Sequence, residues 1–130
     1  MLHEDGAAYY PVVATVSLGS ATVLDIYGKR KLGEMQNWPK HRVLQERRSL
    51  LVTKGELYIE FLHGIKEVAV DEGLGIEGIA NWGLMGNNKQ FAAGRYERST
   101  RVSLTFRDVL KVKNLGAGLK FLGRGNNTKT

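Results

Sequence analysis

The stretch that decides the fold class is Pro11-Val12-Val13-Ala14-Thr15-Val16-Ser17-Leu18-Gly19-Ser20-Ala21-Thr22-Val23-Leu24-Asp25-Ile26-Tyr27. Most of its residues are β-branched or apolar, which favours strands over helices. Gly19-Ser20 interrupts the run with residues that are typical of turns. We therefore predict two strands, residues 11–18 and 21–27, joined as a hairpin.

Three more segments predict strands. Residues 49–52 and 57–62 flank the turn dipeptide Lys54-Gly55 and indicate a second hairpin, and residues 101–109 indicate a fifth strand. The segments between them, 28–45 and 66–98, are polar, and the second is rich in glycine without a helical period. A loop of that length predicts a mobile or functional insertion. Many short strands without amphipathic helices predict an all-β sandwich or barrel.

The composition bounds the class of protein. A chain of 130 residues that is 42% hydrophobic and 25% charged predicts one folded domain, which we place at residues 1–113, followed by a flexible basic tail at 114–130. Because cysteine is absent, any metal site must use His and carboxylates. We find no signal sequence and no membrane-length apolar run, so we expect an intracellular protein of the nucleus or cytoplasm. The oligomeric state stays open.

The net charge of +6 is concentrated near the carboxyl end, where residues 95–130 hold nine Lys and Arg against two Asp and Glu. Such a segment suits a nucleic-acid partner, because Lys and Arg neutralise phosphates, although a solubilising tail has the same composition. Trp38 and Trp82 lie in predicted loops, where a tryptophan stacks on a base or covers the core. We favour the core for both.

A candidate metal site begins at His3-Glu4-Asp5. In an extended chain the side chains of His3 and Asp5 lie on one face, spaced to bind one ion. His63 is a better third ligand than His41, because its apolar surroundings leave the imidazole nitrogens in need of a partner. Two histidines and one carboxylate form the facial triad of non-haem Fe(II) oxygenases. The alternative is that His63 is an ordinary core histidine with a hydrogen-bonded ring.

The strand at 101–107 has a polar face and an apolar face. Arg101, Ser103, Thr105 and Arg107 alternate with three apolar residues, which we expect to pack. The polar face either lies in solvent or points into a barrel. In a barrel, two arginines about 20 Å apart along the strand suit the two ends of a dicarboxylate, since each guanidinium matches a carboxylate.

These motifs, in this order, resemble the AlkB family of Fe(II)/2-oxoglutarate dioxygenases. They are His3-x-Asp5, an apolar strand that ends in His63-Gly64-Ile65, and Arg101-x-Ser103-x-Thr105-x-Arg107. Further phrases are closest to the eukaryotic AlkB homologue six subgroup: Tyr9-Tyr10-Pro11, Ser17-Leu18-Gly19-Ser20 and Val23-Leu24-Asp25. The resemblance runs from Leu2 to about Val112, apart from the two long loops.

The resemblance implies a double-stranded β-helix, the jelly-roll form of a β-sandwich. It implies that His3, Asp5 and His63 bind Fe(II). Arg101 would lie by the 2-oxoglutarate carboxylate remote from the metal, Arg107 by the chelating end, and Ser103 beside them. The implied reaction uses O₂ and 2-oxoglutarate to hydroxylate or oxidatively demethylate an unidentified substrate, for which DNA or RNA is the candidate.

The sequence also departs from the family pattern. Members normally carry an amino-terminal region with nucleotide-recognition loops and an N-x-Y pair, whereas this chain begins two residues before His3. We therefore expect a truncated form whose jelly roll lacks its leading strands. Ala7 stands where base-repairing members often have an acidic residue, so recognition of damaged bases is not supported.

Two other functions compete with the oxygenase. The first is a truncated, catalytically silent jelly roll that binds nucleic acid through its basic carboxyl-terminal segment. The second is a cupin-like metal enzyme, which keeps the three ligands but gives Arg101 and Arg107 no role.

Overall fold

The protein is a mainly β structure, as the sequence predicts, and its antiparallel sheets are compatible with a jelly roll. A computed structural model describes residues 2–6, 8–28 and 38–110. The elements in chain order are β1 (Tyr9–Gly19), β2 (Thr22–Gly28), β3 (His41–Gln45), β4 (Ser49–Lys54), α1 (Glu56–Ile59), β5 (Phe61–Gly64), β6 (Val70–Glu72), two short 3-10 helices (Trp82–Leu84 and Asn88–Phe91), β7 (Arg95–Glu97) and β8 (Arg101–Val109).

The strands form two three-stranded sheets and one two-stranded sheet. The orders are β4-β1-β8, β3-β2-β5 and β6-β7. Consecutive strands β1 and β2 therefore belong to different sheets, and the predicted first hairpin is wrong. Gly19-Ser20 forms a corner that closes on residue Thr100, whose carbonyl oxygen accepts a hydrogen bond of 2.9 Å from the Ser20 amide. A Cβ on Gly19, where φ is +78°, would lie 2.4 Å from that same oxygen.

The predicted second hairpin is also wrong. Strand β4 pairs with β1, whereas β5 pairs with β2, so the chain crosses from one sheet to the other between them. The helix α1 makes this crossing and begins after Gly55, whose φ is +59°. A two-residue hairpin turn joins two strands that pair with each other. Lys54-Gly55 instead leads into α1, so this turn signal predicted the wrong strand pairing.

The segment 66–98 is an integral part of the core, not a mobile insertion. Its residues Leu74, Ile79 and Phe91 pack in one buried cluster with Ala21, Val23 and Leu44. Trp82 packs against the same cluster, as predicted, but Trp38 is 80% exposed, so its assignment to the core is wrong.

Polar contacts attach this segment to the sheets. Asn81 Nδ2 donates to the Leu44 carbonyl oxygen, and Asn81 Oδ1 accepts from the Leu44 backbone amide, both at 2.9 Å. The Asn81 side chain therefore pairs with β3 as the backbone of a neighbouring strand would. Within the segment itself, the buried Asp71 accepts two hydrogen bonds of 2.6 and 2.7 Å from the Arg98 guanidinium, which ties its two ends together. These contacts satisfy the polar groups of a strand edge and a buried carboxylate.

The predicted tail at residues 114–130 and the Ala7 position lie outside the described residues. Within the described part of the chain, no helix is long and apolar enough to cross a membrane.

Candidate metal centre and anion pocket

The polar face of β8 points into the molecule. A cavity of about 330 Å³ lies between the two large sheets, and Arg101, Ser103, Thr105 and Arg107 all line it. Their register on β1 places them opposite residues 13–19, so the two arginines lie at opposite ends of the strand pair. The polar face therefore lines a cavity that is accessible to solvent, with Arg101 partly buried and Ser103, Thr105 and Arg107 exposed.

The apolar face of β8 does not pack as expected. Val102, Leu104 and Phe106 are all exposed, Phe106 to 58%, and the described residues do not cover them. The alternation of β8 is confirmed, but both of its faces are largely exposed: the polar face lines the cavity, and the described residues leave the apolar face uncovered.

His3, Asp5 and His63 come together at one end of the cavity. One potential ligand atom from each lies within 4.8 Å of the other two. The backbones of His3 and His63 exchange two hydrogen bonds of 3.0 Å, which pair the amino-terminal segment with β5. This pairing aligns the two imidazoles, whose ring centroids are 4.6 Å apart. The other histidine that we weighed, His41, lies exposed on β3 and does not line this cavity.

Asp5 carries the negative charge of this cluster, and its side chain is only 3% exposed. Its Oδ1 accepts hydrogen bonds from Arg107 Nε at 3.1 Å and Arg107 Nη2 at 2.5 Å. Its Oδ2 lies 3.8 Å from His63 Nε2. Arg107 therefore fixes one carboxylate oxygen and leaves the other beside the imidazole. The Arg107 guanidinium also lies over the Tyr9 ring, 5.5 Å from its centroid.

The surroundings of His63 favour its neutral form. Burial lowers the pKa of its imidazole below the ordinary value, and the neighbouring His3 and Arg107 act in the same direction, while Asp5 opposes them. Neutral imidazole is the form that binds metals, so the surroundings prepare His63 for that role.

Tyr58 of α1 holds the loop that follows Asp5. Its buried hydroxyl donates a hydrogen bond of 2.6 Å to the Gly6 carbonyl. Sequence reasoning missed this contact because it predicted residues 57–62 as a strand. A tyrosine in an apolar run gives no sign of which distant carbonyl its hydroxyl reaches.

Arg101 lies at the other end of the cavity with neutral partners. Its Nη2 donates to Ser17 Oγ and to Gln45 Oε1, both at 2.8 Å. Its Nε is buried and has no hydrogen-bond partner within the described residues. Burial lowers the pKa of Arg101 below its ordinary value, and the nearby Arg98 charge adds to this. An arginine nonetheless stays cationic in a protein, so this end of the cavity carries a positive charge.

Two curated proteins are similar to this chain over most of its length. The chain is 36% identical over 130 aligned residues to the curated protein "Probable RNA/DNA demethylase ALKBH6" of Danio rerio, an alignment that covers 95% of this chain and 52% of that relative. These 130 residues belong to the AlkB family. A second match, 30% identical over 112 residues, is "Uncharacterized protein L905" of Acanthamoeba polyphaga mimivirus, with 85% of this chain and 42% of the relative covered. No family model matches the chain. The chain spans about half the length of the curated relatives that it matches.

Proposed function

We propose that this AlkB-family chain holds Fe(II) and 2-oxoglutarate and serves the oxidative demethylation of a nucleic acid. One observation supports this above the others: a single cavity has a cluster of two histidines and a carboxylate at one end and, at the other, the partly buried Arg101, which donates to neutral oxygens. The oxidoreductase class follows from the family relationship.

The residues present fit a ferrous ion. His3 and His63 supply imidazole nitrogens and Asp5 supplies a carboxylate oxygen, which is the donor set of the Fe(II) oxygenases. This set leaves coordination positions open for further ligands. The buried Asp5 is already oriented by Arg107, as ligand carboxylates commonly are by outer hydrogen bonds.

The residues present also fit a dicarboxylate. The Arg101 Nε is a buried donor without a partner in the described part of the chain, and a carboxylate would satisfy it. The cavity volume of about 330 Å³ lies within the range of small-ligand sites. When bound, iron and 2-oxoglutarate together supply the oxidation of a C–H bond by O₂, with succinate and CO₂ as co-products.

Each residue of the site would have a role that is set by its position in the cavity. Arg101 binds the carboxylate remote from the metal, and Ser103 lines the wall between the two ends of the cavity. Arg107 holds Asp5 in place for the metal. A hydroxylated N-methyl carbon then leaves as formaldehyde, which makes the overall reaction a demethylation.

DNA or RNA is the substrate class that we infer. The relative in Danio rerio is named an RNA/DNA demethylase, and the net charge of +6 favours a polyanion. We place the protein inside the cell, in the nucleus or cytoplasm, where such substrates occur. The alternative of a silent binding module rests on the basic segment 95–130, of which residues 111–130 lie outside the described part of the chain. The two backbone hydrogen bonds between His3 and His63 favour the metal-binding function, because they hold the amino-terminal histidine beside β5.

An anaerobic titration of the protein with Fe(II) and 2-oxoglutarate tests the proposal. We expect a weak visible absorption band of the chelate that is lost in Asp5→Ala and kept in Asp108→Ala, a matched change at an exposed carboxylate of β8. Succinate and formaldehyde release from N-methylated oligonucleotides then tests the substrate class. A folded chain without the band would refute the cofactor assignment, and turnover only on non-nucleic substrates would refute the substrate assignment.

A further inference from the structure

The two arginines of β8 have electrostatically opposite surroundings. Arg107 donates to the buried carboxylate of Asp5, so the two charges cancel within the pair. Arg101 donates to a hydroxyl and an amide oxygen, so its charge is not cancelled by these partners. The two arginines therefore share one strand face, but only Arg101 carries a charge that its partners do not neutralise.

The partners of Arg101 form a closed arrangement of three side chains. Ser17 Oγ donates to Gln45 Oε1 at 2.8 Å, and Arg101 Nη2 donates to both of these oxygens. Ser17 and Gln45 are both buried, with 0% and 4% of their surface exposed. Water therefore does not compete for these bonds, and the orientation of the guanidinium is set by protein atoms.

The arrangement joins the two sheets across the cavity. Ser17 lies on β1, paired on one side with β4 and on the other with β8, whereas Gln45 is the last residue of β3 in the opposite sheet. Arg101 is thus held from both walls. Its Nη2 is occupied by these neutral oxygens, while its Nε stays buried and unpaired within the described residues.

We propose that Gln45 and Ser17 are positioning residues that orient Arg101 without neutralising it, and that they give the cavity its preference for 2-oxo acids with a second carboxylate. This inference rests on the proposed function. A carboxylate at position 45 would orient the guanidinium equally well, but it would also supply the negative charge that the ligand should bring.

The test compares two ligands in one assay. 2-Oxoglutarate and pyruvate share the chelating 2-oxo acid, but pyruvate lacks the second carboxylate. Each is titrated anaerobically into the Fe(II)-loaded protein, and the visible band gives its dissociation constant. The quantity of interest is the ratio of the two constants, because it isolates the contribution of Arg101 from that of the metal.

Gln45→Glu is the decisive variant, since it keeps the shape of the side chain and adds a charge. We expect it to weaken 2-oxoglutarate binding about a hundredfold, while pyruvate binding changes less than about twofold. Gln45→Leu removes one hydrogen bond to a charged group, which predicts a loss of about tenfold for 2-oxoglutarate alone. Gln90→Leu, at an exposed glutamine of the second 3-10 helix, is the matched control and should leave both constants unchanged.

A purely structural role makes a different prediction. In that case the Gln45 variants would weaken both ligands alike, or neither, and an unchanged ratio would overturn the inference while the proposed function stands. Co(II) absorption titrations should show the same metal affinity in all variants, because none of them touches a metal ligand. If the Gln45 variants do not fold, Ser17→Ala asks the same question, with a several-fold loss of 2-oxoglutarate preference expected. A wild-type protein without any 2-oxoglutarate band would refute the proposed function and this inference together.

Discussion

Tyr58→Phe tests how the proposed amino-terminal metal ligands, His3 and Asp5, are held in place. The substitution keeps the buried ring and removes only the hydroxyl, which donates a hydrogen bond of 2.6 Å to the carbonyl oxygen of Gly6, the residue after Asp5. No cavity forms, so the loss is one partly buried hydrogen bond, worth about 1 kcal/mol. If that hydrogen bond orders the segment that carries His3 and Asp5, its loss should weaken metal binding by the same free energy. One kcal/mol corresponds to about a fivefold weaker metal affinity.

Anaerobic absorption titration with Co(II) measures this affinity, and urea denaturation of the metal-free protein measures the free energy of unfolding. Tyr10→Phe is the matched control, because Tyr10 is exposed and its hydroxyl should be silent in both assays. The reasoning is refuted if Tyr58→Phe lowers the free energy of unfolding while the metal affinity stays within about twofold of wild type. That result would mean that Tyr58 stabilises the fold without ordering the ligands.

Three further predictions concern the framework of the site, and urea denaturation measures each. Phe91→Ala should lower the free energy of unfolding by about 3–5 kcal/mol, because Phe91 is fully buried, whereas Leu84→Ala at an exposed position should change it by less than about 0.5 kcal/mol; equal losses would contradict the placement of segment 66–98 in the core. Asp71→Asn should cost about 3 kcal/mol, since it leaves a largely buried guanidinium without its counter-charge, and a loss below about 1 kcal/mol would show that this pair contributes little. Gly19→Ala should destabilise far more than Gly55→Ala, because both have positive φ but only the first places a Cβ against a carbonyl oxygen; similar losses would mean that the corner relaxes freely.

Local patterns predicted where several strands lie but not how they pair. The β-branched run and the alternation at 101–109 correctly indicated β1, β2 and β8, because these signals depend on residues close in sequence. Both hairpins were wrong because a turn signal says that the chain reverses, not which sheet receives the next strand. Strand β3 and helix α1 were missed, since each is short and depends on contacts with distant residues.

The environment of β8 shows the same limit. Its alternation predicts two faces, and burial of the apolar one is the ordinary expectation. In the structure the register places Phe106 beside Ala14 and Leu104 beside Val16, so the apolar side chains form an outer face that the described residues leave exposed. A pattern of period two separates the faces of a strand but does not say which face the rest of the protein covers.

The partners of the two arginines were beyond sequence reasoning for a different reason. Arg101 and Ser17 are separated by 84 positions and meet only because β8 pairs with β1, whereas Arg101 and Gln45, 56 positions apart, meet only when the two sheets close over the cavity. Arg107 reaches Asp5 over 102 positions. The sequence shows two arginines on one face, which suits both ends of a dicarboxylate equally. Only the fold shows that Asp5 already neutralises Arg107, whereas Ser17 and Gln45 leave the charge of Arg101 available. It is therefore the charge of the distant partner, and not the residue type or its spacing, that separates the arginine that holds a proposed metal ligand from the one that is proposed to bind an anion.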